Sequence, residues 1–476
     1  MNEKPLPLSA LEQWPAFPER EKVRERLAEE LAGLNRKIVV LDDDPTGVQT
    51  VHDICVYTDW SAETLLEAFR APESMFFILT NSRGFSRQKT IEVHTEIARN
   101  IAAASRETDL DYVLISRSDF TLRGHYPTET QTLRTVLEAE NGIKFDGEIL
   151  IPFFREGGRY TMNDIHYVAG KDGLTPAGQT EFARDRTFGY SASDLKEYIE
   201  EKHAGTIRAS EVASVGLNVL RAGDSGAVRE CLSGISGFGK VIVNAVDYAD
   251  LEVFAIGFVQ AVRAGKRFMF RSAAGITKVL GGIADRPLLS REELHDAENP
   301  NGGLIVVGSH VNKTTMQLER LRTMADLRFI EFDVTTAMDE AAFRRERERV
   351  LEEEMEALRS GQTVAVYTSR KRMDADTGNA EDDLKLALRI SEAVTGFVKE
   401  LAIRPRFMIA KGGITSSEVG TKGLKVKRAK VMGQILPGIP VWQTGPESRF
   451  PGLPYVIFPG NVGDENALLE AVKKLI

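Results

Sequence analysis

The fold of this chain is decided by the stretch IVVLDDDPTG, which occupies residues 38–47. Four apolar residues lead directly into three consecutive aspartates and then a turn. Such a run is typical of a strand buried in a parallel sheet, and open α/β sheets bind ligands at the carboxyl ends of their strands. Adjacent carboxylates would repel one another in a protein interior, so we expect them to meet a cation, a donor-rich substrate or water. The structural alternative is an acidic strand end that only caps a helix.

The composition indicates a globular protein with more than one domain. A chain of 476 residues exceeds one ordinary hydrophobic core, and its 42% hydrophobic and 28% charged residues are ordinary contents. The net charge of −9 argues against nucleic acid as the main partner, and no apolar run reaches the roughly 20 residues of a membrane span. The two cysteines and seven histidines show no disulfide framework or zinc-ligand spacing. With no secretory leader visible, we expect a cytoplasmic protein.

Apolar runs alternate with helical patterns from residue 37 onward, which predicts βαβ units. We therefore expect an α/β protein of two domains, each a mostly parallel sheet flanked by helices. Residues 1–36 predict an N-terminal helical extension, because apolar residues recur there at helical spacing among many charges. The polar stretch 284–302 contains two prolines and predicts a linker between a domain at 37–283 and a domain at 303–476.

Polar segments follow several predicted strands of the first domain. Residues 80–84 read Thr-Asn-Ser-Arg-Gly, and residues 119–124 read Asp-Phe-Thr-Leu-Arg-Gly. Arginine offers a planar fork that matches a carboxylate, while hydroxyl and amide groups suit the hydroxyls of a sugar. Because the carboxyl ends of parallel strands share one edge, we expect these segments to converge on one crevice with the aspartates. The loop at 157–159, Gly-Gly-Arg, adds a further cation.

The second domain contains four glycine turns, at residues 308–309, 411–416, 437–440 and 460–463. Turns between a strand and a helix aim backbone N–H groups at an anion, and glycine lets the backbone approach phosphate closely. Any one of them is more typical of an ordinary tight turn or helix cap. Four in one α/β domain favour a nucleotide phosphate site, although the chain lacks a G-x-x-x-x-G-K-[ST] motif.

Taken in order, these motifs resemble those of the four-carbon acid sugar kinase family. The resemblance runs from about residue 37 to the C-terminus. It depends on Asp43–Gly47, Thr80–Arg83, Asp119–Gly124, Gly308-Ser309, Lys411–Ser416, Pro437–Pro440 and Gly460–Gly463. It implies a first domain that binds the sugar acid and a second domain that binds ATP, with Mg²⁺ bridging the phosphates.

The resemblance also implies site residues. We add Thr46 from the turn after the aspartates and Arg159 from the loop at 157–159. The sugar-acid site would then be lined by Asp43, Asp44, Thr46, Ser82, Arg83, Asp119, Arg123 and Arg159. The nucleotide site would be lined by Ser309, Gly412, Gly413, Thr415, Gly438, Gly460 and Asn461. Arg83 and Arg123 would hold the carboxylate of the acid, and either Asp44 or Asp43 would accept the hydroxyl proton. The residues that bind the metal are not indicated.

The chain departs from the family pattern in the acid-binding half. Asn81 replaces an acid, and Phe120 replaces a serine. Arg117 and His125 stand where lysine and asparagine are more usual. These departures leave ATP use intact and bear on the identity of the acid. Threonate, erythronate, their 3-oxo forms and a branched oxidised sugar acid all fit.

Two other functions compete with the kinase. Asp42 and Asp44 have the spacing of the nucleophile motif of haloacid-dehalogenase-type phosphatases, but the matching acidic motif at 463–466 lies beyond the predicted linker. A non-catalytic protein that binds a nucleotide or a sugar acid would not need the acid cluster. We therefore expect an ATP-dependent kinase that phosphorylates a hydroxyl of a small sugar acid, with the acid and ATP or ADP as its partners. The sequence does not give the oligomeric state, for which a homodimer is one option.

Overall fold

The computed structural model describes residues 4–17, 19–294, 296, 298–370 and 380–476, with side chains from 385 onward in the last range. It confirms an α/β protein in which mostly parallel strands are flanked by helices. Two compact units form, one from Met1–Val51 with Asp59–Asp285 and the other from His52–Thr58 with Arg286–Ile476. Among the residues described, no helix has the length and apolarity needed to cross a membrane.

The main sheet of the first unit is parallel and contains the stretch that opened the sequence. Numbered along the whole chain, its strands are β1 (Arg36–Asp42), β3 (Met75–Leu79), β4 (Asp111–Arg117), β5 (Gly147–Ile151), β9 (Ala213–Val215), β10 (Gly239–Val243) and β11 (Phe268–Ser272). They lie in the order β3-β1-β4-β11-β5-β10-β9. The register places Asp42 beside Leu79 of β3 and Arg117 of β4, and Arg117 beside Ser272 of β11. The loops that follow these strands therefore leave the same edge of the sheet.

Helices cover this sheet. They are α1 (Arg20–Ala32), α2 (Ala62–Arg70), α3 (Arg87–Thr108), α4 (Thr128–Asn141), α5 (Leu195–Lys202), α6 (Leu217–Arg221), α7 (Ser225–Ser233), α8 (Tyr248–Arg263) and α9 (Ala274–Leu280). Helix α8 is apolar on nearly all sides and is buried between α1, α7 and α9. Its first turn is closed by a capping box of Asp247 and Asp250, which satisfies backbone donors that burial would otherwise leave unpaired.

A small antiparallel sheet follows β5 and is absent from the sequence prediction. It consists of β6 (Arg159–Met162), β7 (Ile165–Gly170) and β8 (Gly173–Pro176). Asn163 and Asp164 form the β6–β7 turn with positive φ angles of 50° and 67°, as a two-residue hairpin turn requires. The Asn-Asp pair was the sequence signal for this hairpin, but the flanking strands are too short to show a clear alternation of apolar and polar residues. The hairpin carries Arg159.

The second unit has a mixed sheet. Its strands are β2 (Cys55–Tyr57), β12 (Leu304–Val307), β13 (Arg328–Phe332), β14 (Val364–Thr368), β15 (Met408–Lys411), β16 (Arg428–Leu436), β17 (Ile439–Thr444) and β18 (Pro454–Phe458). The order is β13-β14-β12-β15-β18-β17-β16-β2, parallel as far as β18 and antiparallel beyond it. The helices are α10 (Arg291–Leu294), α11 (Asn312–Leu321), α12 (Glu340–Arg359), α13 (Ala380–Lys399), α14 (Gly413–Glu418) and α15 (Ala467–Leu475).

The first unit includes residues 1–36, which the sequence predicted as a separate extension, and the units differ further from the predicted domains at β2 and at the predicted linker. Strand β2, which lies within the predicted first domain, pairs with β16 of the second unit through Cys55 opposite Lys430. The predicted linker 284–302 also belongs to the second unit from Arg286 onward, because Leu289 and Leu294 are buried in its core. Both differences arise from long-range contacts that a local pattern does not show. His295 and Ala297 of that stretch lie outside the described residues.

Helix α8 supplies a test of the packing. An added methyl at Gly257 would lie 2.6 Å from the carbonyl of Ser225 and 2.6 Å from Val228 of α7. Alanine favours a helix over glycine by about 1 kcal/mol, but overpacking costs about 1–3 kcal/mol. We therefore expect Gly257→Ala to lower the free energy of unfolding of the first unit, measured by urea titration.

Gly170→Ala is the matched control, because an added methyl there meets nothing within 4 Å. We expect it to change the free energy of unfolding by less than about 0.5 kcal/mol. A Gly257→Ala protein as stable as the unmodified chain would mean that α7 and α8 are not closely packed.

Candidate functional site

The three aspartates that follow the apolar part of β1 enter three different environments. Asp42 is buried, with a side chain 2% exposed, and its Oδ1 accepts a hydrogen bond from Nη1 of Arg117 at 3.0 Å. Burial raises the pKa of Asp42 to about 7, against the opposing charge of Arg117. Gly47 covers the carboxylate so closely that an added methyl would overlap it. Asp42 is therefore closed to a ligand.

Asp43 is held in a two-armed ion pair. Arg83 donates from Nη2 to Oδ1 at 2.6 Å and from Nε to Oδ2 at 3.2 Å. The Ser118 hydroxyl donates to the same carboxylate, whose side chain is 3% exposed. With both oxygens bonded, Asp43 is fixed in place.

Asp44 is the one member of the triplet that reaches the surface, with a side chain 21% exposed. Its Oδ1 accepts hydrogen bonds from the backbone N–H and the hydroxyl of Thr46, at 2.9 and 2.6 Å. Its Oδ2 accepts one from Nη1 of Arg83 at 3.2 Å. Burial acts to raise the pKa of Asp44, but the charge of Arg83 and the bonds from Thr46 outweigh it and lower the pKa. Asp44 is therefore ionised and accessible.

Asp119 completes the cluster from the loop after β4. It accepts hydrogen bonds from the Thr121 hydroxyl and from Nε of Arg123, the latter at 2.8 Å, and lies 4.0 Å from Nη1 of Arg83. Burial acts to raise the pKa of Asp119, but Arg83 and Arg123 hold it well below its ordinary value. Arg83 thus contacts three protein carboxylates, and Arg123 also approaches Asp185 at 3.7 Å.

Ser82 lies behind this cluster. The residue is fully buried, and its hydroxyl donates to Glu129 at 2.7 Å. Glu129 is in turn bonded by Arg271 at 2.6 Å. The predicted acid-binding role of Ser82 is therefore not supported by its position, which fixes the loop that carries Arg83.

The departures from the family pattern have local structural explanations. Asn81 adopts a left-handed conformation with φ of 55°, which asparagine tolerates well. Phe120 packs against Phe154 with ring centroids 5.0 Å apart. His125 hydrogen-bonds through Nε2 to the carbonyl of Phe85 at 3.0 Å. All three shape loops at the edge where the acid cluster lies.

The predicted nucleotide residues of the second unit gather where β12, β15 and β18 end. An added methyl at Gly412 would lie 3.0 Å from Cβ of Ser309 and 3.2 Å from Oγ1 of Thr415, and one at Gly460 would lie 3.4 Å from Oγ of Ser309. Gly412 has φ of 123°, which favours glycine. Gly413 begins α14, and Asn461 follows Gly460. The three loops therefore form one cradle.

Gly438 lies at the margin of this cradle. It occupies the turn between β16 and β17, and an added methyl would lie 3.2 Å from Val462, one residue beyond Asn461. Its backbone N–H donates to the side chain of Gln434 at 2.6 Å. Gly438 therefore borders the cradle without facing its centre.

Three cations of the cradle are not among the site residues that the sequence predicted. Nζ of Lys411 is buried and donates to the carbonyls of Pro459 and Gly460 at 2.7 and 3.2 Å. Nζ of Lys313 donates to the carbonyl of Asn461 at 3.1 Å. The signal for Lys411 was a lysine at a strand end before a glycine pair.

The third cation is Arg370, which donates from Nη1 to the carbonyl of Ser309 at 2.7 Å. Within the described part of the chain, no carboxylate forms a salt bridge with Lys313, Arg370 or Lys411. Carbonyl oxygens orient these cations but do not neutralise them, so their charge is available to an anion. Burial, with a smaller contribution from Lys313, lowers the pKa of Lys411 to about 7.

Two family models match the two halves of the chain. The family model for a sugar-binding N-terminal domain matches residues 38–280, and the one for a nucleotide-binding C-terminal domain matches residues 304–468. No curated protein matches the chain.

Two solved structures share the fold. A Salmonella typhimurium LT2 protein described as a candidate tRNA synthase has a TM-score of 0.67 and 16% identity, over 92% of this chain and 100% of that chain. A Haemophilus influenzae protein from a family of unknown function has a TM-score of 0.62 and 18% identity, over the same shares of 92% and 100%. At these identities the similarity is one of fold.

Lys411 gives the cradle a pH dependence. Because its pKa is lowered to about 7, the ammonium is charged below that pH and becomes neutral above it. A phosphate binds the charged form, so the affinity for ADP should fall above pH 7, by at most about tenfold per pH unit for one proton. Calorimetry with ADP on the full chain between pH 7 and 9 measures this slope.

Lys411→Met is the control for that slope. Losing a charged hydrogen bond of about 1.5–3 kcal/mol should weaken ADP binding roughly 10- to 100-fold at pH 7 and leave it flat above pH 7.5. A dissociation constant that does not change with pH in the unmodified chain would exclude Lys411 from phosphate binding.

Proposed function

This chain belongs to the four-carbon acid sugar kinase family, and on that premise we propose that it transfers the γ-phosphoryl group of ATP to a hydroxyl of a small sugar acid. The observation that carries the proposal is the cradle of glycine turns with three cations that no described carboxylate neutralises. It suits a polyphosphate, which binds through backbone N–H groups and fixed positive charges.

The first unit supplies what the acceptor needs. Phosphoryl transfer depends mostly on positioning and on charge stabilisation, so a weak base that orients the hydroxyl is sufficient. Asp44 suits this role because it is ionised, partly exposed and fixed by Thr46 and Arg83. Asp43 has both oxygens bonded by Arg83 and suits an anchoring role instead.

Mg²⁺ enters the proposal only as the ion that accompanies ATP. Its preferred ligands are carboxylates, phosphate oxygens and water. Among the residues that the structure describes, no group of three or more His, Cys, Asp or Glu side chains is placed to hold a metal ion. These residues do not fit a metal site built by the protein alone, so we assign no step of the reaction to the ion.

The phosphatase alternative requires Asp42 to attack a phosphoester. That carboxylate is bonded by Arg117 and covered by Gly47, which closes it to a substrate. A non-catalytic binding protein would use Asp44 only as an acceptor for a hydroxyl of the ligand. The geometry therefore favours the kinase over the phosphatase, and the assay below separates the kinase from a binding protein.

A coupled assay for ADP release tests the proposal directly. The full chain is supplied with Mg-ATP and, in turn, with threonate, erythronate, their 3-oxo forms and a branched oxidised sugar acid. We expect at least one acid to stimulate ADP release and to gain one phosphate by mass spectrometry. Release of phosphate from phosphoesters without ATP would instead support a phosphatase, and inactivity in both assays a binding protein.

Asp44→Asn tests the role of the exposed carboxylate. Losing a base that accepts the hydroxyl proton should lower kcat by a factor on the order of 10² and leave the KM of ATP nearly unchanged. Asp111→Asn is the control, since Asp111 bonds Arg267 at the opposite end of β4. If both variants kept full kcat, Asp44 would have no part in the transfer.

A further inference from the structure

The arginines of the first unit differ in how their charge is neutralised. Arg83 contacts three carboxylates, and Arg123 bonds Asp119 at 2.8 Å. Behind them, Arg117 bonds Asp42 at 3.0 Å and Arg271 bonds Glu129 at 2.6 Å. Each of these guanidinium groups holds an acid of the protein itself.

Arg159 differs from these arginines in its hydrogen-bond and salt-bridge partners. Its Nη1 donates to the carbonyl of Gly157, and no carboxylate among the described residues lies within salt-bridge distance of it. Its Nε is buried and has no hydrogen-bond partner. A buried donor without a partner is uncommon in a folded protein and calls for an explanation, such as a ligand that the structure does not contain.

The free edge of Arg159 has the right shape for a carboxylate. Nε and Nη2 lie side by side on a guanidinium group, and this is the edge with which Arg83 grips Asp43. Two parallel N–H groups match the two oxygens of a carboxylate. In Arg159 neither of these nitrogens has a partner in the described structure.

Aromatic rings hold this guanidinium in place. It lies 4.8 Å from the ring centroid of Phe120 and 5.4 Å from that of Phe182. The backbone is fixed as well, because Arg159 pairs with Val168 of the β6–β7 hairpin and exchanges hydrogen bonds with Phe154. The rings and the backbone therefore orient the charge, and no carboxylate of the described residues forms a salt bridge with it, an arrangement that suits a bound anion.

The position of Arg159 places that anion beside the acid cluster. Phe120 directly follows Asp119 in the chain. The Phe182 ring also contacts Arg123, whose guanidinium lies 5.2 Å from the centroid of that ring. Burial lowers the pKa of Arg159, with Asp119 acting in the opposite direction. A bound carboxylate would offset that cost of burial.

We infer that Arg159 binds the carboxylate of the sugar acid and sets the preference for acids over neutral polyols. This inference rests on the proposed function. It moves the carboxylate from Arg83 and Arg123, to which the sequence assigned it. Arg83 is bonded by protein acids through all three of its nitrogens, and Arg123 is bonded to Asp119 through Nε. Phe120, which replaces the usual serine of the family, then serves to position Arg159.

Kinetics of the full chain test this assignment. The probes are threonate and erythronate, each paired with its neutral polyol, threitol and erythritol. Arg159→Gln should raise the KM of the acids roughly 10- to 100-fold, the range for a lost charged hydrogen bond, and abolish the preference for acid over polyol. The KM of ATP should stay nearly constant, because the cations that suit its phosphates belong to the second unit.

Two further variants separate recognition from structure. Arg159→Lys keeps the charge but loses the fork, so it should raise the KM of the acids with little change in kcat. Arg155→Gln is the matched control, since Arg155 also stacks on a ring, that of Tyr248 at 4.6 Å, and bonds Asp247. It should leave the KM of the acids unchanged. Thermal unfolding of each variant checks that it folds.

The outcomes distinguish this inference from the proposed function. If the unmodified chain phosphorylates an acid and Arg159→Gln keeps the same acid-over-polyol preference, Arg159 is structural and the inference is wrong. The same holds if Arg159→Lys behaves as the unmodified chain does. If the unmodified chain releases no ADP with any acid and none of the acids binds in calorimetry, the proposed function and this inference both fail.

Discussion

The first unit depends on the contact of one guanidinium group, that of Arg83, with three carboxylates. The strand β1 ends in acids that would destabilise a buried site by repulsion and lost hydration. Arg83 compensates Asp43, Asp44 and Asp119 together, and it does so from a loop that the buried Ser82 fixes through Glu129. Arg83 therefore serves both the stability of the fold and the proposed chemistry. It offsets the repulsion among the buried acids, and it also orients the partly exposed carboxylate of Asp44.

Sequence reasoning was most successful where it followed backbone geometry. Parallel strands share an edge, so the meeting of the loops after β1, β3 and β4 was predictable from the apolar runs alone. The partners of individual side chains were not. Arg83 and Arg123 follow the same polar pattern as a ligand-binding arginine, and only the distances show that protein acids occupy them. Lys411 was visible within a motif, but its role depends on a burial that the motif does not reveal.

The two units use charge in complementary ways. In the first, each arginine of the cluster forms a salt bridge with a carboxylate of the protein. Among the discussed arginines of this unit, only Arg159 lacks such a partner in the described structure. In the second, carbonyl oxygens hold Lys313, Arg370 and Lys411 in position without cancelling their charge. An acidic chain with a net charge of −9 can thus present local positive charge to two anionic ligands. Overall charge is a poor guide to the sign of a binding site when the cations are held by neutral groups.

The strand β2 pairs with a strand that is synthesised much later than itself. The Thr58 hydroxyl donates to the carbonyl of Val426, a residue 368 positions further along the chain. At a ribosomal rate of about 5–20 residues per second, that partner emerges roughly 20 to 70 s later. During this interval β2 has no β16 strand to pair with, so this pairing forms only near the end of translation. A nascent chain that ends before residue 426 would therefore lack the β16 partner of β2.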